Sequence, residues 1–178
     1  MGKNPIALKQ FHLTFIITFI MTLNNKTHDI KKAMDSAVRI LVYRNHTKSE
    51  LERKLSKKGF NDEIIRQVIT DCENMNYLDD ERITHDYFSE LVRKGYGPRH
   101  MRMAMRRKGI DPDLIERVIN EGFSEDDEFK NAFSVLKKKK SFEREADIKK
   151  RKEKIFRFLY SRGYSKSIIF KILAEYEY

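Results

Sequence analysis

The chain has 178 residues, 36% of them charged and 40% hydrophobic, with seven glycines and three prolines, a balance that favours helices over strands. Lys and Arg number 37 against 27 Asp and Glu, and the net charge of +10 points to a polyanionic partner: nucleic acid, a nucleoprotein or an anionic membrane surface. The single cysteine, Cys72, excludes an internal disulfide and fits a reducing compartment, so a cytoplasmic protein is expected.

Residues 1–28 form an extension that resembles nothing later in the chain. Within it, Phe11 to Leu23 is mostly apolar but well short of the roughly 20 residues that span a bilayer as a helix. Lys3 and Lys9 precede it in the manner of a signal peptide, yet no small-x-small cleavage pattern follows. Met21 offers a simpler account, in which translation begins there. A disordered or docking tail and a secretion signal are the alternatives, and no membrane partner is expected.

From residue 29 onward the chain reads as three repeats: 29–78, 79–124 and 125–178. Each opens with an amphipathic helix. The first is predicted over Ile30–Tyr43 with Ala37, Val38 and Leu41 inward. The second covers Glu81–Lys94 with Ile83, Tyr87, Phe88 and Leu91 inward, and the third covers Asp127–Lys139 with Phe129, Ala132, Phe133 and Leu136 inward. A helix pair follows in each: LERKLSKKGFNDEIIRQVI (51–69), MRMAMRRKGIDPDLIERVI (101–119) and IFRFLYSRGYSKSIIFKIL (155–173). The pairs align on Gly59, Gly109 and Gly163. Apolar residues stand eight and four positions before each glycine (Leu51/Leu55, Met101/Met105, Ile155/Leu159), and another follows it (Phe60, Ile110, Tyr164).

The glycines are placed to end a helix in the left-handed conformation, which lacks a Cβ clash only for glycine. Asn61, Asp111 and Ser165 are placed to accept from the free N–H groups of the next helix, and Pro112 suits its first position. The expected fold is therefore all-α, an elongated, curved array of three tandem three-helix units, helix-turn-helix-like in their second halves. In the third copy the charged insertion SFEREADIKKRKEK is either a helical extension or a loop.

The join MNYLDDERITHDYFSELVRKGYGPRHMRMAMRRKGID (75–111) resembles the signature of the RecX family, with Tyr77-Leu78-Asp79-Asp80 and Gly97-Pro98 standing where that pattern has them. The similarity extends over roughly residues 33–175 and is strongest in the first two repeats. It implies a non-enzymatic, monomeric regulator that lies in the groove of the RecA–DNA filament and restrains filament growth, ATP turnover and strand exchange. Through these it would act on homologous recombination, DNA repair and the SOS response. The sign of the effect expected here is inhibition. The family has no catalytic residues to carry over, and no cofactor or metal is expected.

Two cationic groups are candidates for contact with RecA, its DNA, or DNA bound weakly and without sequence preference. Arg99, Arg102 and Arg106 fall on one narrow stripe of the second helix of repeat two, away from the Met101–Met105 edge, with Arg107 beside them. Repeat one has Ser49, Glu52 and Ser56 at the stripe positions. Guanidinium forks suit phosphates and carboxylates; a solvated cationic face is the plainer reading. The second group is Lys137, Lys138, Lys139 and Lys140 with Lys149, Lys150 and Arg151, continued by Lys152 and Lys154, where charge alone would serve.

Other features favour structural roles. Asp79 and Asp80 are expected as a helix cap rather than a metal pair, and Glu125–Glu128 as an acidic helix start. Tyr43, Tyr77, Tyr87 and Tyr96 fit packing between repeats as well as base stacking. The histidines lack zinc-ligand spacing with Cys72, and no phosphate loop or nucleophile motif is present. The rival readings are a helix-turn-helix DNA binder acting without RecA, a magnesium nuclease using Asp79, Asp80 or Glu125–Glu128, and a membrane role for residues 11–23.

Overall fold

The computed structural model describes residues 26–139, 142 and 146–175. The apolar N-terminal stretch, Met21 and Lys140 lie outside them. Among the described residues the regular structure is helical, with no strand, and the chain divides into two compact units between Leu78 and Asp79.

The first unit holds α1 (26–43), α2 (Lys48–Lys57) and α3 (Asp62–Asn74). Its core is built from Ala33 and Ala37 of α1, Leu51 and Leu55 of α2, and Ile64, Ile65, Val68 and Cys72 of α3. Ile30, Met34 and Leu41 pack against them, so the inward stripe of α1 runs 30, 33, 34, 37, 41. Val38, expected inward, lies about 100° around the helix from Ala37 and is 37% exposed. The alanines let α2 and α3 approach α1 closely, and no side chain of α1 need be large.

The end of α3 explains the YLDD segment. Asn76 takes a left-handed φ of 57°, and the Tyr77 and Leu78 N–H groups both donate to the Cys72 carbonyl, at 2.8 and 3.2 Å. This turns Leu78 into the core, leaves Tyr77 exposed, and places Asp79 to cap the next helix by accepting from the Arg82 N–H at 2.9 Å. The aspartate is a cap, as its position before an apolar helix suggests.

The second unit holds two repeats: α4 (Asp80–Arg93), α5 (Pro98–Arg107) and α6 (Pro112–Gly122), then α7 (Glu125–Lys137), α8 (Ile148–Ser161) and α9 (Lys166–Glu175). Met101, Met105, Ile115, Val118 and Ile119 fill one core, and Leu136, Ile155, Leu159, Tyr164, Ile168, Ile169 and Ile172 the other. The three turn glycines have φ of 86°, 72° and 89° at Gly59, Gly109 and Gly163. Asn61 accepts from the Ile64 N–H, Asp111 from the Asp113 and Leu114 N–H groups, and Ser165 from the Ile168 N–H. The punctuation expected from the repeat is present in all three copies.

In the insertion of the third copy Asp147 caps α8, which starts two turns before its first core residue, Ile155, and runs for 14 residues against 10 in α2 and α5. Ser124 and Asp127 form a capping box at the start of α7, where all four of Glu125–Glu128 lie in the first turn. Two of these acids also make tertiary contacts, Glu125 with Lys171 at 2.5 Å and Glu128 with the Ser165 N–H at 2.6 Å.

Candidate partner-binding surface

Repeats two and three meet through backbone. The Gly97 N–H donates to the Arg162 carbonyl at 2.9 Å and the Arg99 N–H to the Gly163 carbonyl at 3.1 Å. Arg162 reaches back with Nη1 to the carbonyls of Lys94 and Gly95, at 2.8 and 3.0 Å, while its guanidinium lies over the rings of Tyr96 and Phe158. Asn131 completes the joint: its amide donates to the Val92 carbonyl at 3.0 Å and its oxygen accepts from the buried Tyr164 hydroxyl. Burial pushes the Tyr164 phenol far above its ordinary range, so it remains a donor. Among the described residues no buried side-chain nitrogen or oxygen lacks a partner.

This joint determines what the arginine stripe can do. Arg99 is not free: its guanidinium lies 3.9 Å from the centre of the Tyr160 ring and donates to the Tyr160 carbonyl. Arg102 is not free either, because its Nε–H sits 2.9 Å from both carboxylate oxygens of Glu116 on α6. Arg106 and Arg107 differ. Both are exposed in the last turn of α5, and neither side chain has a hydrogen bond or ion pair among the described residues. The four arginines are thus brought onto one helix but divided into a structural pair and an outward pair. The sequence showed their shared stripe; it gave no sign that Tyr160 and Glu116 would face the first two. A bland role for the outward pair exists, since cations complement the negative end of a helix.

The second cationic group is also divided. Lys137 lies over the Phe133 ring at 4.5 Å, and Lys139 over Phe142 and Phe158 at 5.4 and 4.3 Å. Lys138 is the exposed residue that caps the C-terminal end of α7. Lys149 and Lys150 are exposed in the first turn of α8, Lys150 at 3.9 Å from Asp147, and Arg151 is half-buried. Of the tyrosines, Tyr87 and Tyr96 pack on the core of repeat two, with Tyr96 stacked on His100 at 3.8 Å. Tyr43 is 89% exposed and Tyr77 is exposed as well. Sequence reasoning also passed over Arg162 and Asn131, whose neighbours are remote in sequence.

Two histidines have distinct settings. In the first unit His46 is buried, with Nδ1 at 2.7 Å from the Arg44 carbonyl and Nε2 at 2.7 Å from the Lys54 ammonium. An ammonium cannot accept, so Nε2 is the acceptor and the proton sits on Nδ1. Burial holds the imidazole below its usual pKa, opposed by the Arg44 carbonyl and aided by the Arg44 and Lys54 charges. His100 is lowered by burial and by Arg107 and Arg162. No cluster of three or more His, Cys, Asp or Glu able to hold a metal occurs among the described residues, and none of their helices is long and apolar enough to cross a membrane.

Comparison with known proteins agrees with this architecture. The sequence matches the first three-helix domain of RecX over residues 33–72, the second over 79–119 and the third over 125–173. A protein named regulatory protein RecX from Legionella pneumophila (strain Corby) is 34% identical over 145 residues, covering 81% of this chain and 94% of its own length. One of the same name from Haemophilus influenzae (strain PittEE) is 32% identical over 133 residues, covering 74% and 86%. The crystal structure of RecX from Lactobacillus salivarius superposes with a TM-score of 0.76 over 84% of this chain and 97% of its own, at 21% identity, which speaks to fold alone.

Proposed function

We propose, from the premise that this chain belongs to the RecX family, that it binds the RecA recombinase or its DNA filament in the cytoplasm and restrains RecA ATP turnover and strand exchange. It does so as a monomer and without chemistry of its own. The observation that supports this reading is the outward pair Arg106 and Arg107, cations that the fold leaves without partners among the described residues. On a protein of net charge +10, they present directional donors to the carboxylates or phosphates of a nucleoprotein after long-range attraction has brought the two together.

The test is the rate of DNA-dependent ATP hydrolysis by the RecA of the same organism. Wild-type protein lowers it, and Arg106→Ala with Arg107→Ala weakens that effect while leaving the helical circular dichroism unchanged. No effect of the wild-type protein on RecA at any ratio would sink the proposal. Protection of one DNA sequence in a footprint without RecA would favour the helix-turn-helix reading instead.

A further inference from the structure

We propose that the outer face of repeat three is a stacking platform for the bases of single-stranded nucleic acid. Phe170 of α9 and Phe156 of α8 are 5.8 Å apart between ring centres, Phe156 and Tyr160 are stacked at 5.7 Å with 12° between their planes, and the Arg99 guanidinium closes the row over Tyr160. The row lies on the surface. Phe170 is 59% exposed, Tyr160 is 38% exposed and Phe156 is half-buried.

The repeat architecture does not call for these rings. Phe156 and Phe170 stand seven positions before and seven after the turn glycine Gly163. The same two positions hold Glu52 and Arg66 around Gly59, and Arg102 and Glu116 around Gly109. In repeat two they carry the ion pair between α5 and α6 described above. Tyr160 likewise corresponds to Ser56 and Arg106. Three positions that are polar in two copies of one scaffold are aromatic in the third. A helix pair of this kind folds with charges there; Phe156 also packs against the core of repeat three, but core packing does not account for the exposed rings of Tyr160 and Phe170.

The surroundings select nucleic acid over an apolar protein partner. Helical spacing puts Lys149 and Lys152 on the same stripe of α8 as Phe156 and Tyr160, and Lys166 one turn before Phe170 on α9. Lys152, Arg157 and Leu173 line a shallow cleft of about 510 Å³ beside Phe156, with Glu153 the one carboxylate among its lining residues. Exposed rings in a row, bordered by cations, suit a strand whose bases stack while its phosphates meet the lysines, with little dependence on sequence. A partner protein's apolar helix would bury the exposed ammonium groups of Lys149 and Lys166 against apolar surface.

The chain has no tryptophan, so Phe170→Trp in the full-length protein installs a single reporter in the row. A thymidine oligonucleotide is expected to quench its emission saturably, whereas an abasic oligonucleotide of the same length, equal in charge, leaves it unchanged. By anisotropy, Phe170→Leu, which keeps an apolar side chain but removes the ring, binds the thymidine strand about fivefold or more weakly than wild type and the abasic strand equally well. Thermal melting of both variants controls for folding. Absence of quenching, or equal binding of both strands by wild type and Phe170→Leu, overturns the proposal and leaves a face that acts by charge or docks protein. No RecA is present in these measurements, so their failure leaves the preceding function standing, and failure of that function leaves this one.

Discussion

Gly97 and Gly163 meet backbone to backbone: a Cβ on Gly97 would lie 2.6 Å from the Gly163 carbonyl oxygen and 2.5 Å from the Tyr164 nitrogen. The Gly163 carbonyl is held by the Arg99 N–H across the two repeats and the Tyr164 N–H by the Leu159 carbonyl within repeat three, so these backbone atoms cannot yield as a side chain would. Gly97→Ala is therefore expected to destabilise the second unit by about 1–3 kcal/mol, the range of overpacked interiors. Urea denaturation measures it, and an unchanged midpoint would mean that the two backbones separate at little cost.

Gly109→Val tests a different property of glycine. At φ of 72° a β-branched residue is strained wherever its side chain points. A loss of about 1–3 kcal/mol is expected from backbone strain alone. Gly109→Asn, a residue that tolerates the left-handed region, should lose distinctly less, and equal losses for the two would point to a steric rather than a dihedral cause.

Arg102 and Arg106 should behave oppositely despite sharing a stripe. The Arg102–Glu116 pair is partly exposed, so Arg102→Ala costs about 0–1 kcal/mol of stability. Arg106→Ala, whose side chain has no partner among the described residues, should leave stability unchanged and weaken the proposed effect on RecA ATP hydrolysis. Five lysine substitutions within 137–150 should weaken it less, at low and at physiological salt. A larger loss from the lysine variant at both salts would assign the interaction to diffuse charge.

The histidines give a pH dependence of definite sign. Because the folded-state pKa of His46 is depressed, the unfolded chain binds its proton first as pH falls. The contribution of neutral His46 is fully present above the unfolded value of about 6.5 and is lost as pH falls toward the folded one. His100 adds a loss of the same sign. Urea midpoints should drop between about pH 7.5 and about pH 5.5, and His46→Gln, which keeps a donor and an acceptor, should show a smaller drop. An equal drop in the variant would assign the effect elsewhere.

Cys72 reports on the first unit. It is buried beside Met34, and burial, with a smaller contribution from Asp71, raises its thiol pKa. A thiol reagent should label the native protein slowly and at a rate that rises with urea, as local opening exposes the thiolate. Rapid stoichiometric labelling without denaturant would show that α1 does not cover α3 in solution.

Much of this fold was legible in the sequence because its signals are local. Helix periodicity, a glycine at each turn and a capping side chain after it act over a few residues, and they recur three times. Val38 turns outward against expectation for the same reason, since a short apolar run does not say which of two adjacent residues faces the core. The surface was less legible. That Arg99 and Arg102 share a stripe follows from helical geometry, but their partners Tyr160 and Glu116 lie 61 and 14 residues away. Whether a charge is spent inside the molecule depends on such distant neighbours. Arg162 and Asn131 escaped notice because neither belongs to a motif, and their roles arise only when two repeats dock.

The paired surface sites on either side of each turn glycine have a further meaning for how such a chain can change. Because neither site is a fully buried core position, a substitution there escapes most of the scrutiny that packing imposes on Leu55 or Met105. Duplicated units are then free to diverge at those two sites in concert, while the glycine and the apolar stripe keep every copy foldable. Glu52/Arg66, Arg102/Glu116 and Phe156/Phe170 are three outcomes of that freedom in a single polypeptide. A designer wanting a fourth specificity would write it into the same two sites and leave the rest of the unit alone.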